Sequence, residues 1–438
     1  MKPLSKLIPV IAVLAVACPV AAADLATSKA TIKGSLDRQY AHIEALYQDI
    51  HGNPELSFQE ARTATKLAAE LRGLGYQVTE GVGKTGVVAL YRNGPGPTVM
   101  VRTELDALPL EEKTGLSYAS KAHQMVGGVE TPVTHACGHD IHMAVWVTVA
   151  KTLLEMKDAW SGTLMFVAQP AEEAGGGAKA MLADGLFTRF PKPDYGFALH
   201  VGPGPFETVT YKPGVWNSAA DGFAITFIGK GGHGSRPHVT IDPVMMAGHF
   251  IVDVQSVISR EKDAARFGVV TVGAVLAGKA GNVIPDTATL RGTIRSYDTE
   301  TRQKMIDGVE RTAKAVAMMA DAPAPDVKFT GGVRAVINDN DLALRSGAVL
   351  KAAFGGRVRE LSEPSSASED YSEFVMAGVP SFYFGIGGLD PKMLAAARDA
   401  KQPVPGNHSP EFAPVPEPTI RTGAEAMSLV LLDVLQKK

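Results

Sequence analysis

The chain has 438 residues, 45% of them hydrophobic and 20% charged, with a formal net charge of −3 at pH 7. This balance supplies enough apolar side chain for a sizeable core and two domains, and it excludes both a disordered composition and the concentrated basic face that a nucleic-acid partner needs.

The predicted elements begin with Lys2 and Lys6 ahead of the apolar run Leu7 to Ala17, followed by Ala21, Ala22 and Ala23. That is the layout of a secretory signal over residues 1–23, with the mature chain starting at Asp24 and exported to the periplasm or beyond. The run is short for a bilayer, and no later segment reads as a membrane span. An uncleaved anchor is the alternative, and Cys18 is a lesser candidate for lipid attachment, because Ala15 stands where a larger aliphatic residue is expected. Cleavage leaves Cys137 as the sole cysteine, so no internal disulfide is possible in an oxidising compartment. A lone thiol there reads as an inert filler, an intermolecular bridge, a nucleophile or a metal ligand.

Next, "SFQEARTATKLAAELRGLGY" places Ser57 and Glu60 in capping-box spacing ahead of a helical apolar pattern. "PTVMVRTELDALP" predicts a buried strand ending at Glu104 and Asp106, and "AVWVTVAKTLLEM" a helix after the HDIH segment. "GTLMFVAQPAEE" predicts a strand stopping at Pro170, "GGGAKAMLADGLF" a helix, and "YGFALHVGPGP" a short strand broken at Gly202 and Pro203. Strands alternating with helices predict an α/β fold with a mainly parallel sheet covered on both faces, whose ligands gather beyond the carboxyl ends of the strands.

The chemistry-bearing residues fall at those ends. Glu104 and Asp106 close one strand, Glu172 and Glu173 follow a second, His200 ends a third, Cys137 and His139 lie just before a helix, and His408 sits in the loop "NHSPEF". Converged, they make the thiolate, imidazole and carboxylate mixture that zinc and similar borderline metals prefer. Singly, each has a duller reading: Cys137 as a small buried hydrophobe, the glutamates as solvated surface, His200 as a satisfied core histidine. His142 and Asp140 read as support for ligands or as a helix start.

The segments "HGNPELSFQE", "ELDALPLEE", "HACGHDIHMA", "QPAEEAGGGAKAM", "GKGGHGSRPH", "GNVIPDTATLRGTIRSYD", "SSASEDYSEF" and "NHSPEF" resemble, in order and spacing, the M20 metallopeptidase family. The likeness is to its amidohydrolase branch of hippurate, indole-acetyl-amino-acid and N-acyl-amino-acid hydrolases. The resemblance implies two divalent metal ions, zinc first, with manganese, cobalt or nickel as alternatives. Cys137 would bridge them, with Glu173 and His408 completing one site and His139 and His200 the other. It further implies Glu172 as general base, Asp106 as the aspartate orienting a ligand histidine, and His233 as the oxyanion donor. Asn282 and Arg295 would grip the substrate carboxylate. Glu104 departs from the branch, which commonly has aspartate there.

From Ala219 to about Gly332 the pattern becomes strand, helix, two strands, helix, strand, with helices from Asp242 to Arg260 and from Thr299 to Ala320. It resembles the small α+β, ferredoxin-like lid and dimerisation domain inserted into M20 catalytic domains. The expected division is a signal (1–23), a leading catalytic segment (24–218), a lid (219–332) and a closing catalytic segment (333–438), forming a homodimer through the lid. The expected activity is hydrolysis of a small N-acyl amino acid or a short peptide with a free carboxylate. Two other readings remain open: a hydrolase with Cys137 as nucleophile, and a non-catalytic periplasmic metal-binding protein.

Overall fold

A computed structural model describes residues 22–437. The apolar run of the expected signal and Cys18 lie outside the described residues, and the first helix, Ala22–Gly52, already begins ahead of Asp24. Among the described residues no helix is long and apolar enough to cross a membrane.

An eight-stranded sheet runs in the order 77–82, 86–93, 162–169, 98–104, 195–205, 381–389, 209–211, 358–360. Its four central strands, 162–169 to 381–389, are mutually parallel, whereas 77–82 and 86–93 pair antiparallel at one edge and 209–211 runs antiparallel to 381–389. Thr98–Glu104 is buried almost throughout, as expected of a parallel strand covered on both faces. The helix His139–Glu155 is buried along nearly its whole length because helices 22–52 and 416–434 cover it from outside. Trp146, 2% exposed, donates from Nε1 to the Val101 carbonyl at 3.0 Å, tying this helix to the strand that ends at Glu104. Truncating it costs about 3–5 kcal/mol, since both a large apolar surface and a buried hydrogen bond are lost.

Residues 219–333 form a second layer pair. Four antiparallel strands in the order 268–277, 287–296, 219–228, 326–333 carry helices Pro243–Asp253 and Thr299–Met319 over a core of their own that includes Phe223, Phe250, Leu290 and Val309. This is the ferredoxin-like arrangement of α+β elements.

Several local expectations are corrected. The Ser57/Glu60 capping box does not form: Glu60 is the N-cap of Ala61–Gly73 without a side-chain cap bond, and both side chains are recruited elsewhere. The helix after Cys137 starts at His139 itself, so that histidine is its first residue. Strand Tyr195–Pro205 runs through Gly202 and Pro203, because strand 381–389 continues alongside it with a register shift near Gly387. His200 is therefore interior to its strand. The helix expected from Asp242 to Arg260 splits into Pro243–Asp253, capped by Asp242, and a π turn at Val257–Glu261. Val257 there packs so closely on Gly308 that a Cβ at that glycine would lie 2.5 Å from Val257 Cγ1.

Candidate active site

Two loops that follow strands, one strand, the loop that carries His408 and a helix start converge on Cys137. Gly138, with φ 86°, turns the chain from Cys137 into the helix, and a Cβ there would lie 2.4 Å from Val201 Cγ1, so only glycine fits. Asn407 donates to the carbonyls of Cys137 and Val201, at 3.0 Å each, and the His408 amide donates to the Ala136 carbonyl at 2.8 Å. The distant loop is thereby held against the thiol.

Donor atoms of Cys137, His139 and His200 lie within 4.8 Å of one another, and so do those of Cys137, Glu173 and His408. The sulfur is the common corner. His139 donates its Nδ1 proton to the Asp106 carbonyl at 2.7 Å, and His200 donates its own to the Val201 carbonyl at 2.7 Å. Each ring thus turns its Nε2 lone pair inward, that of His200 lying 3.4 Å from Cys137 Sγ. Among the described residues, buried His139 Nε2 has no hydrogen-bond partner, and Glu173 Oε1 faces His408 Nε2 at 3.4 Å without a well-formed hydrogen bond. Unpaired buried polar atoms are costly, so a set of S, N and O lone pairs all directed at one space fits a pair of borderline divalent cations.

Asp106 does not orient His139 through its carboxylate, which stands 3.7 Å from Nδ1. Its main-chain carbonyl does so, while its carboxylate accepts from the amides of Glu172 (3.1 Å) and Glu173 (3.0 Å) and from Ser57 Oγ (2.6 Å). Asp106 therefore sets the turn that presents the two glutamates. Glu60, which the capping pattern had placed at a helix end, accepts from the amide of Ala171 at 2.8 Å in the same turn.

Glu172 lies outside both triads that contain Cys137, with Oε2 3.9 Å from His139 Nε2. Burial, then Glu369, Glu173 and Asp370, push its carboxyl well above the usual range. Glu173 is drawn below its ordinary value, against burial, by His408 and His139. Burial pushes the Cys137 thiol up, with Glu173 and Glu172 adding to the effect. Burial brings His200 down to about 3, His142 contributing.

Glu104, where aspartate was expected, joins two networks that sequence reasoning had not assembled. One carboxylate oxygen pairs with buried Arg102, and the other accepts from His142 Nδ1 at 2.9 Å. His142 Nε2 in turn accepts from the Val201 amide at 2.9 Å, which steadies the backbone beside His200. Arg102 also pairs with Glu369 (2.7 Å) and Asp370 (3.3 Å) of "SSASEDYSEF".

A cavity of about 1000 Å³ opens over Cys137, Glu172, Glu173, His200 and His408 and extends to Arg295 of the four-stranded sheet. Among the described residues, buried Arg295 Nη1 has no hydrogen-bond partner, and burial lowers the pKa of Arg295. His233 and Asn282 are not brought to the cavity within one chain. They stand together on an exposed ribbon, Gly232–His233 paired with Val283–Ile284. His233 Nδ1 accepts from the Ser235 amide at 3.2 Å, which leaves Nε2 to carry the proton and donate outward.

Residues 100–403 match the model of peptidase family M20/M25/M40. The chain belongs to this family. Hippurate hydrolase of Campylobacter jejuni is 39% identical over 344 residues, covering 77% of this chain and 86% of that protein. Thermostable carboxypeptidase 2 of Saccharolobus solfataricus is 35% identical over 393 residues, 89% of this chain and 94% of its own. Among solved structures, the YXEP protein of Bacillus subtilis, a dinuclear metal-binding peptidase of the M20 family, superposes with a TM-score of 0.73 at 28% identity, covering 91% of this chain and 99% of that one. M20 relatives thus include amidohydrolases and carboxypeptidases, and this chain is a metallo-amidohydrolase of that kind.

Proposed function

We propose that the protein is exported and hydrolyses the amide of an N-acyl amino acid or short peptide bearing a free α-carboxylate, with two divalent cations, zinc foremost, both of which Cys137 would help to hold. The observation that carries this reading is the sulfur of Cys137 at the common corner of two donor triads, with Glu172 beside them and belonging to neither. His139 and His200 would hold one cation, and Glu173 and His408 the other. Bound there, such cations supply Lewis acidity to the scissile carbonyl and lower the pKa of a water from about 16 to about 7.

The remaining steps belong to side chains. Glu172 takes the proton of the attacking water and returns it to the leaving nitrogen, a role supported by its position beside both donor triads, 3.9 Å from His139 Nε2. Arg295 receives the substrate carboxylate in a forked contact, and its unpaired Nη1 supports that role. His233 donates from Nε2 to the carbonyl oxygen as charge develops, and Asn282 assists Arg295. Both stand away from the cavity of their own chain, which favours a homodimer in which a second copy supplies them.

A nucleophilic Cys137 is disfavoured. Reactive thiols sit in electropositive, partly exposed surroundings, whereas this one is 6% exposed beside two glutamates. The test is Glu172→Gln, measured for bound metal and for amino acid released from hippurate. Retained metal with turnover reduced by at least about 100-fold is expected; unchanged turnover overturns the mechanism.

A further inference from the structure

The cavity also reaches from the Cys137 cluster across the eight-stranded sheet to its edge strand Val358–Glu360, whose Arg359 lines it. His200, Gly385, Thr210 and Arg359 are successive register partners across four adjacent strands. Register partners share one face of a sheet, so these positions form a straight row, and all four line the cavity. Three strand spacings put the Arg359 backbone about 14 Å from that of His200.

Between the ends the row is low. Gly385 has no side chain, and a Cβ there would meet Thr210 Oγ1 at 2.5 Å and Trp216 Cη2 at 3.4 Å. The floor beside His200 is therefore bare backbone flanked by one hydroxyl and an indole edge.

At the far end, Arg359 is exposed, and among the described residues its guanidinium has neither a hydrogen-bond nor an ion-pair partner. Its neighbours do not supply one. Arg357 is engaged with Glu207 at 3.2 Å. Glu360, the adjacent acid, points to the opposite face, held by Tyr211 Oη (2.8 Å) and Lys351 (3.0 Å). A guanidinium at the rim of a cavity, without an ion-pair partner among the described residues, is available to pair with an anion.

We propose that Arg359 ends an acyl subsite, and that the preferred substrates carry a second carboxylate at the far end of the acyl half. This rests on the amidohydrolase reading: the scissile amide lies over the Cys137 cluster, the amino-acid carboxylate meets Arg295, and the acyl chain runs along the His200–Arg359 row. Thr210 and Trp216 line its path, and the guanidinium receives its terminal carboxylate.

The experiment compares kcat/KM of metal-loaded protein for N-adipoyl- and N-hexanoyl-methionine, which differ in whether the chain ends in a carboxylate, in wild type, Arg359→Ala and Arg359→Lys. The wild type is expected to favour the adipoyl compound by about 10-fold or more. Arg359→Ala brings the ratio towards one, and Arg359→Lys keeps part of it. The ratio is internal to each variant, so loss of folded protein lowers both rates and leaves it unmoved. A wild-type ratio of one or below, or a ratio unchanged in Arg359→Ala, overturns the proposal. If neither compound is turned over, methionine is the wrong amino-acid half, and calorimetric titration of adipate decides the subsite by itself. Binding about 10-fold weaker in Arg359→Ala sustains it, and equal binding removes it.

Discussion

Glu60 accepts a hydrogen bond from the amide of Ala171 at 2.8 Å, across 111 residues of chain, and so holds the turn from which Glu172 projects. Ala171 has φ 47°, a left-handed backbone that a non-glycine residue keeps only under constraint. The same carboxylate accepts from the Phe58 amide (2.8 Å) and Thr85 Oγ1 (2.5 Å). Glu60→Ala should therefore cost about 1–3 kcal/mol in denaturant unfolding, from buried amides left unpaired. It should lower kcat more than it raises KM, with Glu60→Gln intermediate. A variant with wild-type kcat would separate this contact from catalysis.

Metal occupancy should depend on the shared sulfur. Cys137→Ala removes one donor from each triad, so bound metal, counted by plasma mass spectrometry, should fall for both sites together, with activity down by at least about 100-fold. Chelation of the wild type should abolish turnover and lower Tm, since ligands that bind only the folded state stabilise it, by about 2.7 kcal/mol at 100 times Kd. Loss of a single ion with half the activity retained would contradict a bridging thiolate.

His51 provides a pH signature separate from the metal ligands. Its ring lies between Asp140 (2.6 Å) and Glu112 (3.1 Å), beside Tyr47 and Tyr118. Burial opposes its charge, but hydrogen bonds to both carboxylates raise its pKa to about 10. With a folded value above the unfolded one of 6.5, its contribution to stability is complete below about pH 6.5 and is lost as pH rises through 10. Urea midpoints should fall across that window in the wild type and fall less in His51→Gln. Parallel curves would refute the assignment.

Dimerisation should be visible at the edge strand of the four-stranded sheet. Val275 and Leu276 of strand Gly268–Ala277 are 48% and 54% exposed, and Met245 and Val252 of helix Pro243–Asp253 are 59% and 71% exposed. An open edge with apolar side chains invites pairing with a second copy. Leu276→Lys should shift the protein from dimer to monomer in sedimentation. If a second copy supplies His233 as the proposed oxyanion donor, the same change should also depress kcat by about two to three orders of magnitude. Monomeric wild-type protein with full activity would count against a donor supplied in trans.

The sequence by itself marked most of the covered strands and helices and a candidate set of donors. Short β-branched and apolar runs such as Val99–Val101 and Met165–Ala168, bounded by turn residues, read as covered strands, and a parallel sheet gathers ligands at its carboxyl ends, so Cys137, His139, Glu172, Glu173 and His200 were legible as one candidate set. Only the tertiary structure decided which atom of each residue does the work. Glu60 and Ser57 match a helix cap in one dimension, yet in three dimensions buried amides and the Asp106 carboxylate compete for them and prevail, because unpaired polar groups cost more inside than at a solvated helix end. Asp106 likewise orients His139 with its carbonyl and leaves its carboxylate to the Glu172 turn. The row from His200 to Arg359 had no trace in the sequence, since it joins four strands by register alone. Spacing along the chain encodes periodicity and local caps; contact across strands depends on sheet order, which the burial of the whole core selects.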